Sequence, residues 1–295
     1  MRRCWIGCSP ASASASKPRT YGPGSLARDF PCLRLPELKR LLLLPALLAS
    51  VVLPGVPAVA GSMPAPVGLM SCSAPVPGRY ALLGSGQIEG EPAAVLMQET
   101  WKPDGRIEGV RWQRQGRRLI EERYSGQVIA GDHCWAQVER KGKAGVFTDT
   151  VGLNQAGVPQ ASLVSGAGQV LSLRYVSQAE TACRTETLDG LVTSQQQGQS
   201  WKGGAWQPNA VAQREWWQSG IVQGLAYSSY GGQQEQATYS GRLQVAQNCL
   251  GRMVQRDSKG VTYSYRVLML ANGGGYFYLQ TDPDNLTLGL LQRQR

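Results

Sequence analysis

The chain has 295 residues, 42% of them hydrophobic, with 36 glycines, 17 prolines, three phenylalanines and a single histidine, His133. That apolar content can bury a core and excludes wholesale disorder, while one histidine excludes multi-histidine metal sites. Thirty Lys and Arg against twenty Asp and Glu give a formal charge of +10, which would suit a polyanion partner if it lay on the folded part.

Most of it does not. Residues 1–40 are basic and rich in Pro, Ser and Ala, Leu41–Leu53 is an apolar run, and Ala58-Val59-Ala60 precedes Gly61. A positive region, an apolar stretch of this length and a small-x-small exit are the parts of a secretory signal peptide. Residues 1–60 are therefore read as a signal peptide with an over-long N-terminal extension, and 61–71 as a linker. Pro45, Pro54 and Pro57 interrupt the run, so no uniform apolar span of about 20 residues exists and no stable transmembrane span is expected after cleavage. Anchoring through residues 41–60 is the less favoured reading. Lipidation at Cys72, suggested by the loose lipobox Leu69-Met70-Ser71-Cys72, is another. The leader carries eight basic and two acidic residues, +6 of the +10, leaving +4 for the remainder. An exported product, periplasmic or secreted, is expected, and nucleic acid is not expected as a partner.

Four of the seven cysteines lie beyond the leader: Cys72, Cys134, Cys183 and Cys249. An even number in an exported chain favours disulfides. The chain also repeats itself. At an offset of 115 residues, Gln98–Val146 lies on Gln213–Val261 without a gap, matching Trp101 to Trp216, Gly109 to Gly224, Tyr124 to Tyr239 and Cys134 to Cys249. These residue types fix turns, large core positions and bridges. Of the three possible pairings, the repeat makes Cys72–Cys134 with Cys183–Cys249 the economical one, each a structural staple.

Beyond residue 72 short runs bounded by turn residues recur, the signature of an antiparallel meander. Strands are expected at 79–88, 93–102, 106–115, 118–130, 134–141, 145–154, 159–165 and 169–176. The second repeat adds 187–197, 210–217, 221–229, 234–246, 249–256, 261–271, 275–281 and 286–293. Eight short strands have an edge problem that closure solves. The expected fold is all-β: two tandem small antiparallel meander β-barrels, residues 72–176 and 177–295, lipocalin- or avidin-like by analogy of architecture alone. Ile107 to Val110 and Val222 to Leu225 step by three across Gly109 and Gly224, which predicts a glycine-marked bulge in each repeat.

Repeat 2 reads Tyr239-Ser240-Gly241 through Asn248-Cys249-Leu250-Gly251, then Gly260-Val261, Asn272-Gly273-Gly274 and Gln280-Thr281-Asp282-Pro283. Repeat 1 supplies Cys72-Ser73, Gly78-Arg79-Tyr80 and Lys102-Pro103-Asp104-Gly105. This resembles a widespread group of exported bacterial β-domains with an early Cys and G-x-Y, a later G-S/T-Y-x-V-x-x-D/N-C-x-G and a final Q-T-D-P. The pattern is departed from at Trp135-Ala136, Val164-Ser165-Gly166 and Gly190-Leu191-Val192. The resemblance implies fold and export, and no mechanism.

Candidate chemistry is sparse. No catalytic residues, cofactor or metal site are assigned. Arg106, Arg111, Arg114, Arg117, Arg118 and Arg123 interleave with Trp112, so Arg111, Trp112, Arg114 and Arg118 are candidate contacts for an acidic ligand. Trp101/Trp216 and Trp112/Tyr227 recur and are assigned to barrel interiors, whereas Trp201, Trp206 and Trp217 are candidate exposed indoles for stacking on sugars. Glu121 and Glu122, consecutive in a strand, point to opposite faces and cannot act as a pair. The expected function is a non-enzymatic binding or envelope-interaction module, its partner an unknown envelope component, small molecule or polysaccharide. Alternatives are a carrier of an apolar ligand in a barrel cavity and a hydrolase using His133.

Overall fold

The computed structural model describes residues 71–293 apart from 144, 167 and 179–181; the signal-peptide assignment lies outside the described residues. The first eight strands are β1 (Gly78–Ile88), β2 (Glu91–Trp101), β3 (Arg106–Gln115), β4 (Arg118–Asp132), β5 (Trp135–Gly142), β6 (Gly145–Leu153), β7 (Pro159–Gly166) and β8 (Gln169–Ser177). The second eight are β9 (Gly190–Lys202), β10 (Ala205–Gln218), β11 (Ile221–Tyr230), β12 (Gln233–Val245), β13 (Leu250–Asp257), β14 (Thr262–Met269), β15 (Gly275–Gln280) and β16 (Asn285–Arg293). Each set is a closed antiparallel barrel, β8 returning to β1 and β16 to β9. Closure satisfies every edge of the ladder. No described helix is long and apolar enough to cross a membrane.

Disulfides Cys72–Cys134 and Cys183–Cys249 staple the barrels separately, across 62 and 66 residues. A lipid anchor needs the Cys72 sulfur for a thioether, and here it is bonded to Cys134. Cys134 and Cys249 both adopt positive φ, 69° and 71°.

The predicted bulges are absent. β3 runs against β4 and β11 against β12 in unbroken register, and shifts occur instead at Val128/Ala130 and Gly152/Leu153. Gly109 and Gly224 serve another purpose. A Cβ on Gly109 would lie 2.2 Å from the Tyr124 ring, and one on Gly224 2.4 Å from the Tyr239 ring. Each glycine is the seat of a buried tyrosine. Gly224→Ala is expected to cost about 1–3 kcal/mol by overpacking, because hydrogen bonding to Glu215 pins Tyr239. Gly166→Ala, where a Cβ meets nothing within 4 Å, is the matched control in thermal unfolding.

Val110 is apolar for a different reason: it faces outward into a second barrel. Ala81, Leu96 and Trp112 of barrel 1 pack on Leu268, Leu270, Phe277, Leu279 and Leu286 of barrel 2, with Val110 alongside. This explains why β15 is buried along its whole length. Polar clasps ring the contact: Gln178 Nε2 donates to the Met269 carbonyl (2.6 Å), Gln98 Nε2 to the Asn248 carbonyl (2.7 Å), and Arg266 pairs with Glu121 (2.6 Å).

The stretch 198–209, expected as loop, extends the β9–β10 hairpin instead. Gly203 and Gly204 form a two-residue turn with both φ positive, 63° and 84°, the backbone that matches strand twist in a tight hairpin.

Candidate functional site

The two barrels place the same chemical question, a buried glutamate, in two different lumens. In barrel 1 the Glu99 carboxylate accepts from Arg140 Nε (2.5 Å) and Nη2 (3.1 Å), from Tyr124 OH (2.6 Å) and from Trp101 Nε1 (2.8 Å). Arg140 also donates to Tyr175 OH (2.6 Å) and lies 2.7 Å from Asp149, which accepts from Ser162 Oγ (3.1 Å). Burial pushes the Glu99 carboxyl up, but the Arg140 charge and the hydrogen bonds outweigh it and hold Glu99 below the usual glutamate value. For Asp149 burial prevails over Arg140, and its carboxyl rises. The two acids that share this guanidinium are therefore shifted in opposite directions. Above this cluster, Arg111 pairs with Glu122 and lies 4.7 Å over the Phe147 ring. The lumen is filled.

Barrel 2 repeats the glutamate without the arginine. Glu215 accepts from Trp217 Nε1 (2.9 Å), Tyr239 OH (2.7 Å), Tyr276 OH (3.1 Å) and Gln255 Nε2 (3.4 Å). Gln255 is opposite Tyr263 as Arg140 is opposite Phe147, so Gln255 stands where Arg140 stands. Burial raises the Glu215 carboxyl, and the neutral donors offset it only in part. Folding thus raises this pKa. The resulting stability is complete below the ordinary value of 4.5 and is lost as pH climbs from there through the raised folded value. Glu215→Gln, neutral at every pH, is expected to flatten that decline and to be the more stable protein near neutrality. Urea unfolding on both sides of the transition measures this.

Higher in the same lumen the cross-strand pair Arg111↔Glu122 of barrel 1 becomes Ala226↔Ala237. Two large charged side chains are replaced by two methyl groups, and a hollow results. The cavity leaves about 50 Å³ for water, lined by Gln196, Gln213, Ala226, Ala237, Tyr239, Gln255, Tyr263, Gln280 and Thr287, among others. That is room for roughly three to five water molecules. Gln213 Oε1 accepts from Ser194 Oγ (2.7 Å) and Gln196 Nε2 (2.6 Å). At the mouth Lys259 pairs with Glu235, and Tyr263 OH donates to Asp257 (3.1 Å). An amide- and hydroxyl-lined pocket is suited to a neutral polar group that exchanges hydrogen bonds in both directions.

The candidates proposed from sequence are dispersed by this fold. Arg111 points into the lumen of barrel 1, and Trp112 and Arg114 are buried between the barrels, where Arg114 donates to the Pro283 carbonyl. Arg117 pairs with Asp284, Arg106 with Asp104, and Arg118 is exposed. Alternation turns Arg111 into the lumen, the second barrel covers Arg114, and Arg106, Arg117, Arg118 and Arg123 remain exposed. Glu121 and Glu122 do point oppositely, to Arg266 and Arg111. Trp201 and Trp206 are half-buried cross-strand partners with ring centroids 5.3 Å apart.

Trp217, read as an exposed indole, is 1% exposed, whereas Trp216, assigned to the interior, is 57% exposed. The reason is a hairpin. Five residues join Trp101 to its partner Ile107, and four join Trp217 to Val222, so the gapless offset is wrong by one residue before this turn. The true counterparts are Glu99/Glu215 and Trp101/Trp217. Trp112 and Tyr227 both face outward, Tyr227 at 57% exposure.

His133 occupies a two-residue turn with Cys134 between Asp132 and Trp135, both at positive φ. Among the described residues no group of three or more His, Cys, Asp and Glu can hold a metal ion. An apolar-ligand carrier requires a hollow apolar lumen. Barrel 1 is packed by Trp101, Tyr80 and Tyr175 beneath the ion cluster, and the hollow of barrel 2 mixes amides and hydroxyls with Val211, Ala226 and Ala237.

No family model matches the sequence, and no curated protein matches it. Among solved structures, one similar chain belongs to the crystal structure of MucB in complex with MucA(peri), at 10% identity. The alignment covers 73% of this chain and 87% of that one, with a TM-score of 0.17.

Proposed function

We propose that this is an exported, non-enzymatic binding protein of the cell envelope, periplasmic or secreted after loss of residues 1–60, whose ligand presents a neutral amide- or hydroxyl-bearing group to the hollow of barrel 2. The observation that carries this reading is the exchange of Arg111 and Glu122 for Ala226 and Ala237 at the same station of the second barrel. It turns a filled lumen into a hollow lined by amides, hydroxyls and small apolar side chains. Two disulfides support export, since thiols in reducing compartments are kept unpaired. The buried acids Glu99 and Glu215 are each held by internal donors, an arrangement suited to a rigid scaffold.

Acetamide, glucose and N-acetylglucosamine are the probes, followed by native mass spectrometry and calorimetry. Binding of at least one is expected for the wild type and is expected to vanish in Ala237→Leu, whose added side chain refills the hollow. If none of the three binds, or if Ala237→Leu binds as the wild type does, the reading fails.

A further inference from the structure

A second cleft lies outside the lumens; its lining touches the barrel 2 pocket at Gln213, but its arginines lie outside that pocket. This cleft of about 930 Å³ runs between the outer face of β1 and β8 and the outer faces of β16, β9, β10 and β11. Arg174, paired with Leu83 across β1–β8, stands on one wall. Arg214, opposite Thr193 and Leu225, stands on the other. Both arginines are exposed, and among the described residues neither has an acidic partner. No Asp or Glu lines this cleft. The floor mixes Leu288 and Leu290 with the amides of Gln195 and Gln197, and exposed Tyr227 stands at its edge. A shallower trough of about 410 Å³ continues from it past Ala210, Ala212 and Ser229 to Glu235, which pairs with Lys259, and shares Gln195, Gln197 and Tyr227 with the cleft.

From this we infer that the cleft is a binding site for an acidic polysaccharide chain. Two guanidiniums without an acidic partner, lining the same cleft, favour carboxylates. Glutamine amides donate to and accept from sugar hydroxyls, while an exposed tyrosine and the leucines receive the apolar faces of the rings. A peptide backbone gains less here, because closure pairs every strand and leaves no edge to extend. A nucleic acid would meet two cations where a phosphate chain calls for many.

Titration of the whole exported protein with a short oligogalacturonate and with a maltooligosaccharide of equal length tests this. The acidic oligomer is expected to bind at least about tenfold more tightly, and its affinity to fall with added salt. Arg174→Gln and Arg214→Gln are each expected to lose about tenfold with unchanged thermal unfolding, since neither side chain has an internal partner, and Arg214→Lys to retain part of the affinity. Ala237→Leu, within the barrel 2 lumen, is expected to leave this binding unchanged, which separates it from the pocket proposed above. Equal binding of the neutral oligomer, wild-type affinity in both arginine variants, loss in Ala237→Leu, or tighter binding of anionic vesicles or single-stranded DNA would each overturn the assignment.

Discussion

Replacing Arg140 by glutamine, the residue at the same station of barrel 2, is expected to destabilise the protein by about 3–5 kcal/mol. Arg140 is fully buried and is the cation for both Glu99 and Asp149. Its removal leaves two carboxyls without their cation, since Arg111 in the same lumen pairs with Glu122, and both must bind protons or draw in water. The pH response is expected to reverse with it. In the wild type the depressed Glu99 carboxyl stabilises the fold above its ordinary value of 4.5, and that contribution disappears as pH falls through the depressed folded value. In Arg140→Gln the carboxyl is raised by burial, like Glu215, so the variant is expected to be most stable in acid and to weaken as pH rises. Adding Asp149→Asn is expected to recover part of the loss, by removing one of the uncompensated acids. Denaturant unfolding across this pH range measures all three. An Arg140→Gln protein as stable as the wild type at neutral pH would show that the cluster contributes nothing net.

The second large effect is expected from the disulfides. Each closes a loop of more than sixty residues, 62 for Cys72–Cys134 and 66 for Cys183–Cys249, worth about 4 kcal/mol each in the chain-entropy account. Replacing one pair by serine is expected to lower the unfolding free energy by about that amount. Replacing both removes a sum comparable with the whole stability of an ordinary domain, about 5–15 kcal/mol, and is expected to yield no folded protein under physiological conditions. Circular dichroism of the serine variants, beside the wild type in reductant, distinguishes this from strain relief, which would leave the double variant folded. Cys183–Cys249 has a further consequence, because Asn248, next to Cys249, accepts from Gln98 of barrel 1. Its loss is expected to loosen the contact between barrels as well as the barrel that it closes.

Much of the candidate pocket escaped the sequence for a reason visible at single residues. The gapless repeat placed Trp216 on Trp101 and hid the correspondence of Glu99 with Glu215. One residue fewer in the turn before β11 is enough to do this. Strand side chains alternate, so a slip of one exchanges the inside for the outside. Val110 misled in the complementary way: an apolar residue at the wrong phase suggested a bulge, when the strand is regular and its outer face is covered by another barrel. The pairs Arg111↔Glu122 and Ala226↔Ala237, on which the filled and hollow lumens depend, lie eleven residues apart in each repeat and carry no mark of being partners until the register is known. The signal that could have found them was already present, since aligning the two repeats sets Arg111 on Ala226 and Glu122 on Ala237.

Local and repeated properties were settled by the sequence alone. Turn chemistry and alternation set sixteen strands, repetition set two barrels, and four cysteines placed alike in the two repeats set their bridges. Each depends on neighbours along the chain or on a pattern occurring twice. The tertiary structure alone decided which faces are buried, which arginines are free and which lumen is hollow. Those outcomes depend on cross-strand register and on one barrel covering the other, which bring together residues that no local periodicity relates.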